Sequence, residues 1–178
     1  LESFVKNIQF VRFNAIKRAE RPVIKALLLE GLGSTPCLIQ EKIHGANFSL
    51  WTNGRQVRAA RRGGFLKPGA DFFGFQAILD RYTPAMKALL AHQQAQDPGL
   101  RHLAVFGELY GGLYPHPDVA AAPVKPVQRG IHYRPDLAFC GFDVLHNGRD
   151  WLPVQPAMAL LAAHGIPTEG EMLAHYCQ

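Results

Sequence analysis

The sequence lacks paired cysteines. Its three, Cys37, Cys140 and Cys177, are odd in number and widely spaced, with no Cys-x-x-Cys pair. That argues against a disulfide framework, a structural zinc site and a dithiol redox motif, and points to a reducing, intracellular setting. The histidines are also scattered without metal-ligand spacing, so none is read as a ligand. No apolar run approaches the roughly 20 residues that a membrane helix needs, and Leu1-Glu2-Ser3-Phe4 is not a basic segment leading into a long apolar one. A soluble, cytoplasmic protein with no membrane partner is expected. No Met opens the chain, which points to a natural start other than Leu1. Internal repeats and low-complexity tracts are absent.

What is present is a chain of 178 residues, 48% hydrophobic, enough to bury one core and close to the size of one domain. One domain over residues 1–178 is therefore expected. Lys and Arg outnumber Asp and Glu by 19 to 14, a formal net charge of +5 that favours polyanionic partners. Net charge alone is a weak indicator of nucleic-acid binding, because many basic proteins bind none.

The patterning predicts an α+β fold. From Arg18 to Glu30, Ile24, Leu27 and Leu28 follow a helical spacing, Pro22 falls in the first turn, and Gly31 and Gly33 provide a stop. Cys37 to Ile43, Asn47 to Thr52 and Gln56 to Ala60 read as strands, the last two joined by a two-residue turn at Asn53-Gly54 into an antiparallel meander. Asp71 is placed as the N-cap of a helix carrying Phe72, Phe75, Ile78 and Leu79, and a second helical run is expected from Pro84 to Gln94. Leu103 to Leu109 and Leu137 to Leu145 are short apolar runs of the kind that form buried central strands. Between them, Gly111 to Pro135 reads as a long loop rich in Pro, Gly and His, usually a functional or mobile feature. Asn147-Gly148 is a turn, and Gln155 to His164 a helix.

The chemistry-bearing stretch is Gln40-Glu41-Lys42-Ile43-His44-Gly45-Ala46-Asn47-Phe48. A lysine three residues before a glycine, at the joint between two strands, puts an amine where the backbone can approach a phosphate, because Gly removes the Cβ. Lysine is a nucleophile only when neutral. By itself Lys-x-x-Gly is more often an exposed strand-end lysine, since short motifs have high false-positive rates.

The longer string, Glu-Lys-Ile-His-Gly-x-Asn-Phe, resembles motif I of the RNA ligase 2 family, a group within the covalent nucleotidyltransferases that includes phage nick-sealing ligases and trypanosomatid RNA-editing ligases. Further blocks follow in the family's order. Arg61-Arg62-Gly63 and Asp71-Phe72-Phe73-Gly74 resemble its second block, Phe106 to Gly112 its motif III, and Phe139 to Val144, containing Phe142-Asp143, its motif IIIa. Tyr114-Pro115-His116-Pro117 and Val127-Gln128-Arg129-Gly130 before Tyr133 are similar to the editing-ligase subgroup. The resemblance implies a nucleotidyltransferase (ATP-grasp-like ligase) domain of antiparallel sheets flanked by helices. It also implies an ATP-dependent RNA ligase of the kind used in RNA repair, with lysyl-AMP as covalent intermediate and Mg2+ or Mn2+ as cofactor. The RNA partner would present nicked or duplexed ends.

On that resemblance Lys42 is the nucleophile. Glu41 orients the adenine, Phe142 stacks on it, and Ile43 and Asn47 lie against the nucleotide. Glu108 accepts from the ribose hydroxyls and Arg62 contacts phosphate or ribose. His44, Gly45 and Asp143 support the site and the nucleic-acid end. Competing readings of the same residues are a core position for Phe142, an arginine-paired strand-end carboxylate for Glu108, and a solvated basic face formed by Arg58, Arg61 and Arg62.

The family's last two motifs, a Glu-Gly-hydrophobic-Val segment and a Lys-x-Lys segment, find no match. Glu169-Gly170 is followed by Glu171-Met172, and no lysine follows Lys125. The domain is thus expected to be incomplete at its C-terminus, and this chain alone to adenylylate weakly, because charge near the triphosphate can supply several kcal/mol of stabilisation. Two other functions remain open: a DNA-ligase or capping-type nucleotidyltransferase, and a non-catalytic RNA-binding protein or scaffold that keeps the pocket.

Overall fold

The computed structural model describes residues 8–14, 18, 20–34, 38 and 40–169. Six strands form one antiparallel sheet: β1 (Ala46–Thr52), β2 (Val57–Arg61), β3 (Gly64–Phe65), β4 (Leu103–Gly111), β5 (Leu137–His146) and β6 (Asp150–Trp151), in the order β3-β2-β1-β4-β5-β6. Among the described residues, three α-helices accompany it: α1 (Arg21–Leu29), α2 (Gln76–Gln96) and α3 (Val154–Ala163). The architecture is α+β, as expected, although the described strands make a single sheet rather than several.

The two faces of the sheet are covered differently, and strand alternation decides which side chain goes where. Phe48 and Leu50 of β1, Val105 and Leu109 of β4, and Phe139 and Val144 of β5 point to one face. There they meet Ile78, Tyr82, Met86, Leu89 and Leu90 of α2, whose spacing is one helical stripe, and Ala157, Leu160 and Leu161 of α3. Trp51, Ala60, Ala104, Phe106 and Leu145 point to the other face, which is covered by Ile8, Phe10, Val11 and Phe13. Ser49 is buried there because its hydroxyl accepts the Trp51 indole N–H at 2.8 Å. With both faces covered, β4 is buried along its whole length except at Glu108, as its largely apolar run predicts.

Four expectations need correction. No strand occurs at residue 38 or from 40 to 43, and Cys37 and Ile39 lie outside the described residues; this segment instead makes side-chain and loop contacts described below. The β1–β2 connection is a four-residue loop, because Thr52 pairs with Val57. Two side chains satisfy its backbone: Asn53 Oδ1 accepts from Arg55 N and Gln56 N, while Thr52 Oγ1 accepts from Gly54 N and donates to Gln56 O. Asp71 does not cap α2. Phe73 and Gly74 are both left-handed (φ 53° and 75°), which delays the helix to Gln76, and Asp71 pairs with Lys125 at 3.1 Å on the surface. Finally, residues 76–96 are one helix that runs through Pro84 rather than two. Pro84 lacks the N–H that would bond within the helix, but buried residues on both sides of it hold the helix to the sheet.

The Asn147-Gly148 turn forms as expected, with φ of 50° and 72°, the pair of left-handed residues that a tight hairpin requires. It leads first into β6 and only then into α3. Helix α1 has no buried residue, and Ile24, Leu27, Leu28 and Leu29 are exposed. Among the described residues, no helix is long and apolar enough to cross a membrane.

Candidate functional site

Residues 40–45 run up to the start of β1 along the edge of a cleft of about 1010 Å³. The apolar residue of this segment fixes its orientation. Ile43 is buried against Tyr110, Ala138 and Cys140, with Tyr133 beside them, whereas its neighbours Lys42 and His44 are exposed. Burying Ile43 therefore turns Lys42 toward the cleft, which it lines.

Three hydrogen bonds from distant parts of the chain hold the backbone at this point. His44 N donates to the Tyr133 hydroxyl at 3.0 Å, Gly45 N to Glu108 Oε1 at 3.1 Å, and Gln128 Nε2 to Gly45 O at 2.7 Å. Glycine is required here for space, because a Cβ at position 45 would strike the Leu109 carbonyl oxygen. The long loop expected between the two central strands thus has a definite role, since its Gln128 and Tyr133 clamp the lysine segment. Sequence reasoning placed both residues in a motif without assigning them a function.

The strand order arranges the remaining side chains in a row. Arg61 and Arg62 lie at the end of β2, Asn47 on β1, Glu108 directly opposite it on β4, and Phe142 and Asp143 on β5. All of these line the cleft. Four neighbouring strands at about 4.8 Å spacing put roughly 14 Å between the first and last.

Phe142 and Asp143 reach the cleft together through a β-bulge. Phe106 pairs with Asp143 and Gly107 with Gly141, so Phe142 is an extra residue without a partner in the ladder. In a regular strand, consecutive side chains point to opposite faces; the bulge puts both of these on one. Phe142 is partly exposed and packs on Phe13 with ring centroids 5.1 Å apart, so it belongs to the rim of the smaller core as well as to the cleft.

The carboxyls in this row hold their protons more tightly than usual. Burial pushes the Glu108 pKa up, and the Gly45 N–H and the Lys42 charge offset part of that rise. Asp143 is pushed up by burial alone. Glu169 is pushed up by burial and then by the negative charge of Glu41. Glu169 also lines the cleft, and its Oε2 is buried without a hydrogen-bond partner among the described residues. The local Glu-Gly pattern gave no reason to select this residue. It arrives at the cleft because Ile166 and Thr168 are buried and Pro167 O accepts from Gly141 N at 2.8 Å, one residue before the bulge.

Arg58 separates from the other two arginines. Its guanidinium lies 4.5 Å over the Phe65 ring and burial lowers its pKa, so the three do not form one solvated basic face. Among the described residues, no three His, Cys, Asp or Glu side chains come together as a metal cage.

The sequence matches the family described as RNA ligase over residues 35–175. It is 31% identical over 156 residues to the mitochondrial RNA-editing ligase 2 of Trypanosoma brucei brucei, covering 78% of this chain and 37% of that protein. The mitochondrial RNA-editing ligase 1 of the same organism is 29% identical over 146 residues, covering 70% of this chain and 31% of the relative. The chain therefore spans about a third of the length of these relatives. Among solved structures, an archaeal ATP-dependent RNA ligase matches 73% of this chain and 29% of its own at 24% identity, with a TM-score of 0.41. An RNA ligase of Naegleria gruberi with pyrophosphate matches 73% and 34% at 13% identity, with a TM-score of 0.45.

Proposed function

Since the chain belongs to the RNA ligase family, we propose that it forms the nucleotide-binding part of an ATP-dependent RNA ligase, with Lys42 as the residue that carries AMP. One observation carries this reading: the exposed Lys42 lines a nucleotide-sized cleft while the backbone of His44 and Gly45, two and three residues after it, is held by Glu108, Gln128 and Tyr133. Among the described residues no ion pair occupies Lys42, so its amine is open to a phosphate.

In the proposed reaction, the neutral Lys42 amine attacks the α-phosphorus of ATP. A P–N bond forms as the amine gives up a proton to solvent, the bond from the α-phosphorus to the α–β bridging oxygen breaks, and pyrophosphate leaves with that bond's electron pair. An RNA 5′-phosphate oxygen then attacks the AMP phosphorus and releases Lys42. A 3′-hydroxyl finally attacks the activated 5′-phosphate, forming the phosphodiester and releasing AMP. Phe142 supplies a stacking face for the purine, Asn47 and Glu108 face the sugar, and Arg61 and Arg62 face the phosphates, the guanidinium fork being suited to oxyanions. Mg2+ or Mn2+ would neutralise phosphate charge. Mg2+ usually takes only one or two carboxylates together with substrate phosphates. The described residues offer no fuller set.

The test is to incubate the protein, in this form and at its natural full length, with ATP labelled at the α-phosphate and magnesium. Mass analysis should find AMP on Lys42 and none in Lys42→Ala, and the label should pass to a nicked RNA 5′-phosphate. Transfer to DNA ends only would favour the DNA-ligase reading. A folded full-length protein that binds RNA and never takes label would favour a non-catalytic binding protein.

A further inference from the structure

The row of side chains across the cleft has a charge polarity. Arg61 and Arg62 stand at the β2 end, whereas Asp143 stands on β5 and Glu169 on the segment whose Pro167 hydrogen-bonds β5 at Gly141. A nucleoside triphosphate lying along this row puts its phosphates at the arginines and its base at the bulge, where the Phe142 ring is placed to stack. Glu169 is then beside the edge of the base rather than beside the phosphates. The segment bearing it hydrogen-bonds β5 at Gly141, next to Phe142, and Glu41 is close enough for its charge to be felt at Glu169. A further contact, from Gln40 Nε2 to Met158 Sδ at 3.2 Å, ties the residue before Glu41 to α3.

Glu169 Oε2 is buried and, among the described residues, accepts no hydrogen bond. A buried acceptor left in that state is costly, so the position calls for a donor brought by the ligand. At the edge of a stacked adenine that donor is the exocyclic amine. Guanine in the same pose would present a carbonyl oxygen to the carboxylate.

We propose that Glu169 is a specificity-determining residue that accepts a hydrogen bond from the exocyclic amine of adenine and so selects ATP over purine nucleotides that lack this donor. This rests on the nucleotide-binding reading of the cleft. It adds a residue outside the lysine, Glu108 and Phe142 motifs, supplied by the segment after α3.

The experiment compares binding of ATP, GTP and purine riboside triphosphate, which has hydrogen in place of the amine, to the wild type, Glu169→Gln and Glu169→Ala. The wild type should bind ATP on the order of tenfold more tightly than purine riboside triphosphate, the usual scale for one hydrogen bond to a charged group. In Glu169→Ala that ratio should collapse toward one through loss of ATP affinity, while purine riboside triphosphate binding shifts little. Glu169→Gln, which keeps a neutral acceptor, should fall between them. An unchanged ratio in both variants, or a wild type that prefers GTP, overturns the proposal and leaves the ligase reading standing if Lys42 still takes AMP. A wild type that binds none of the three overturns both.

Discussion

Gly45 N donates to Glu108 Oε1 at 3.1 Å, and a Cβ on residue 45 would sit only 2.9 Å from the Cγ of the same glutamate. The contact joins residues 63 positions apart in the chain. It fixes the backbone three residues after Lys42 against the central strand β4, and it works only while residue 45 has no side chain. The lysine is thus positioned mainly through backbone contacts, while its side chain is left to the cleft.

Replacing Gly45 with alanine should push the lysine segment away from β4. Displacements of about 1 Å can cost on the order of a hundredfold in rate. Lysyl-AMP formation by Gly45→Ala should fall by about that factor, read as label on Lys42 per unit time. A variant labelled at the wild-type rate would show that the segment tolerates a shift.

The loop clamp makes a separate prediction. Gln128→Ala and Tyr133→Phe each remove one hydrogen bond to the His44–Gly45 backbone. Each should slow adenylylation about tenfold, the scale of one such bond, and should affect the rate more than ATP affinity. Because both act on one segment, the double variant should lose less than the sum of the two in free energy. Single-turnover labelling with titrated ATP separates rate from affinity.

Phe142→Ala should weaken ATP binding by about ten- to a hundredfold, as expected when a base loses an aromatic stacking face worth roughly 1–3 kcal/mol. Phe142→Tyr should retain most of the affinity. Calorimetric titration with ATP reads the difference; equal affinity in wild type and Phe142→Ala would return this residue to a purely packing role against Phe13.

Much of this was legible in the sequence. The buried runs of β4 and β5, α3, the Asn147-Gly148 turn and the motif residues at the cleft all follow from local pattern or family resemblance. What was not legible depends on chain segments meeting in space. That residues 40 to 43 form no strand follows from Ile43 finding its cluster with Tyr110 and Cys140, residues roughly 70 to 100 positions away in the chain. The clamp by Gln128 and Tyr133 comes from an irregular loop with no periodicity to read. Glu169 looked like a failed motif, because the signal lies in what Pro167 bonds to, not in the residues that follow. Likewise, two left-handed residues before α2 outweighed a good capping residue in Asp71.

Asp143 gives a pH prediction whose sign follows from its raised pKa. The folded state holds the Asp143 proton more tightly than the unfolded state, so this group's contribution to stability falls as pH rises from the ordinary carboxylate range through the raised value. Asp143→Asn should therefore raise the melting temperature at neutral pH. The gain should vanish below about pH 4, where the aspartate is protonated in both states. Thermal melts of the two proteins across that range check it, and a gain that persists unchanged in acid would point to packing rather than charge.

The bulge in β5 separates what the sheet requires from what the cleft requires. Without Phe142, Gly141 would be followed directly by Asp143 and the ladder to β4 would run in unbroken register, with alternation intact from Leu137 to His146. The aromatic ring is therefore an insertion that the strand accommodates by giving up regularity. A chain shortened by that one residue would fold around the same core and keep its acid on the cleft face, yet lose the one aromatic ring that β5 presents there.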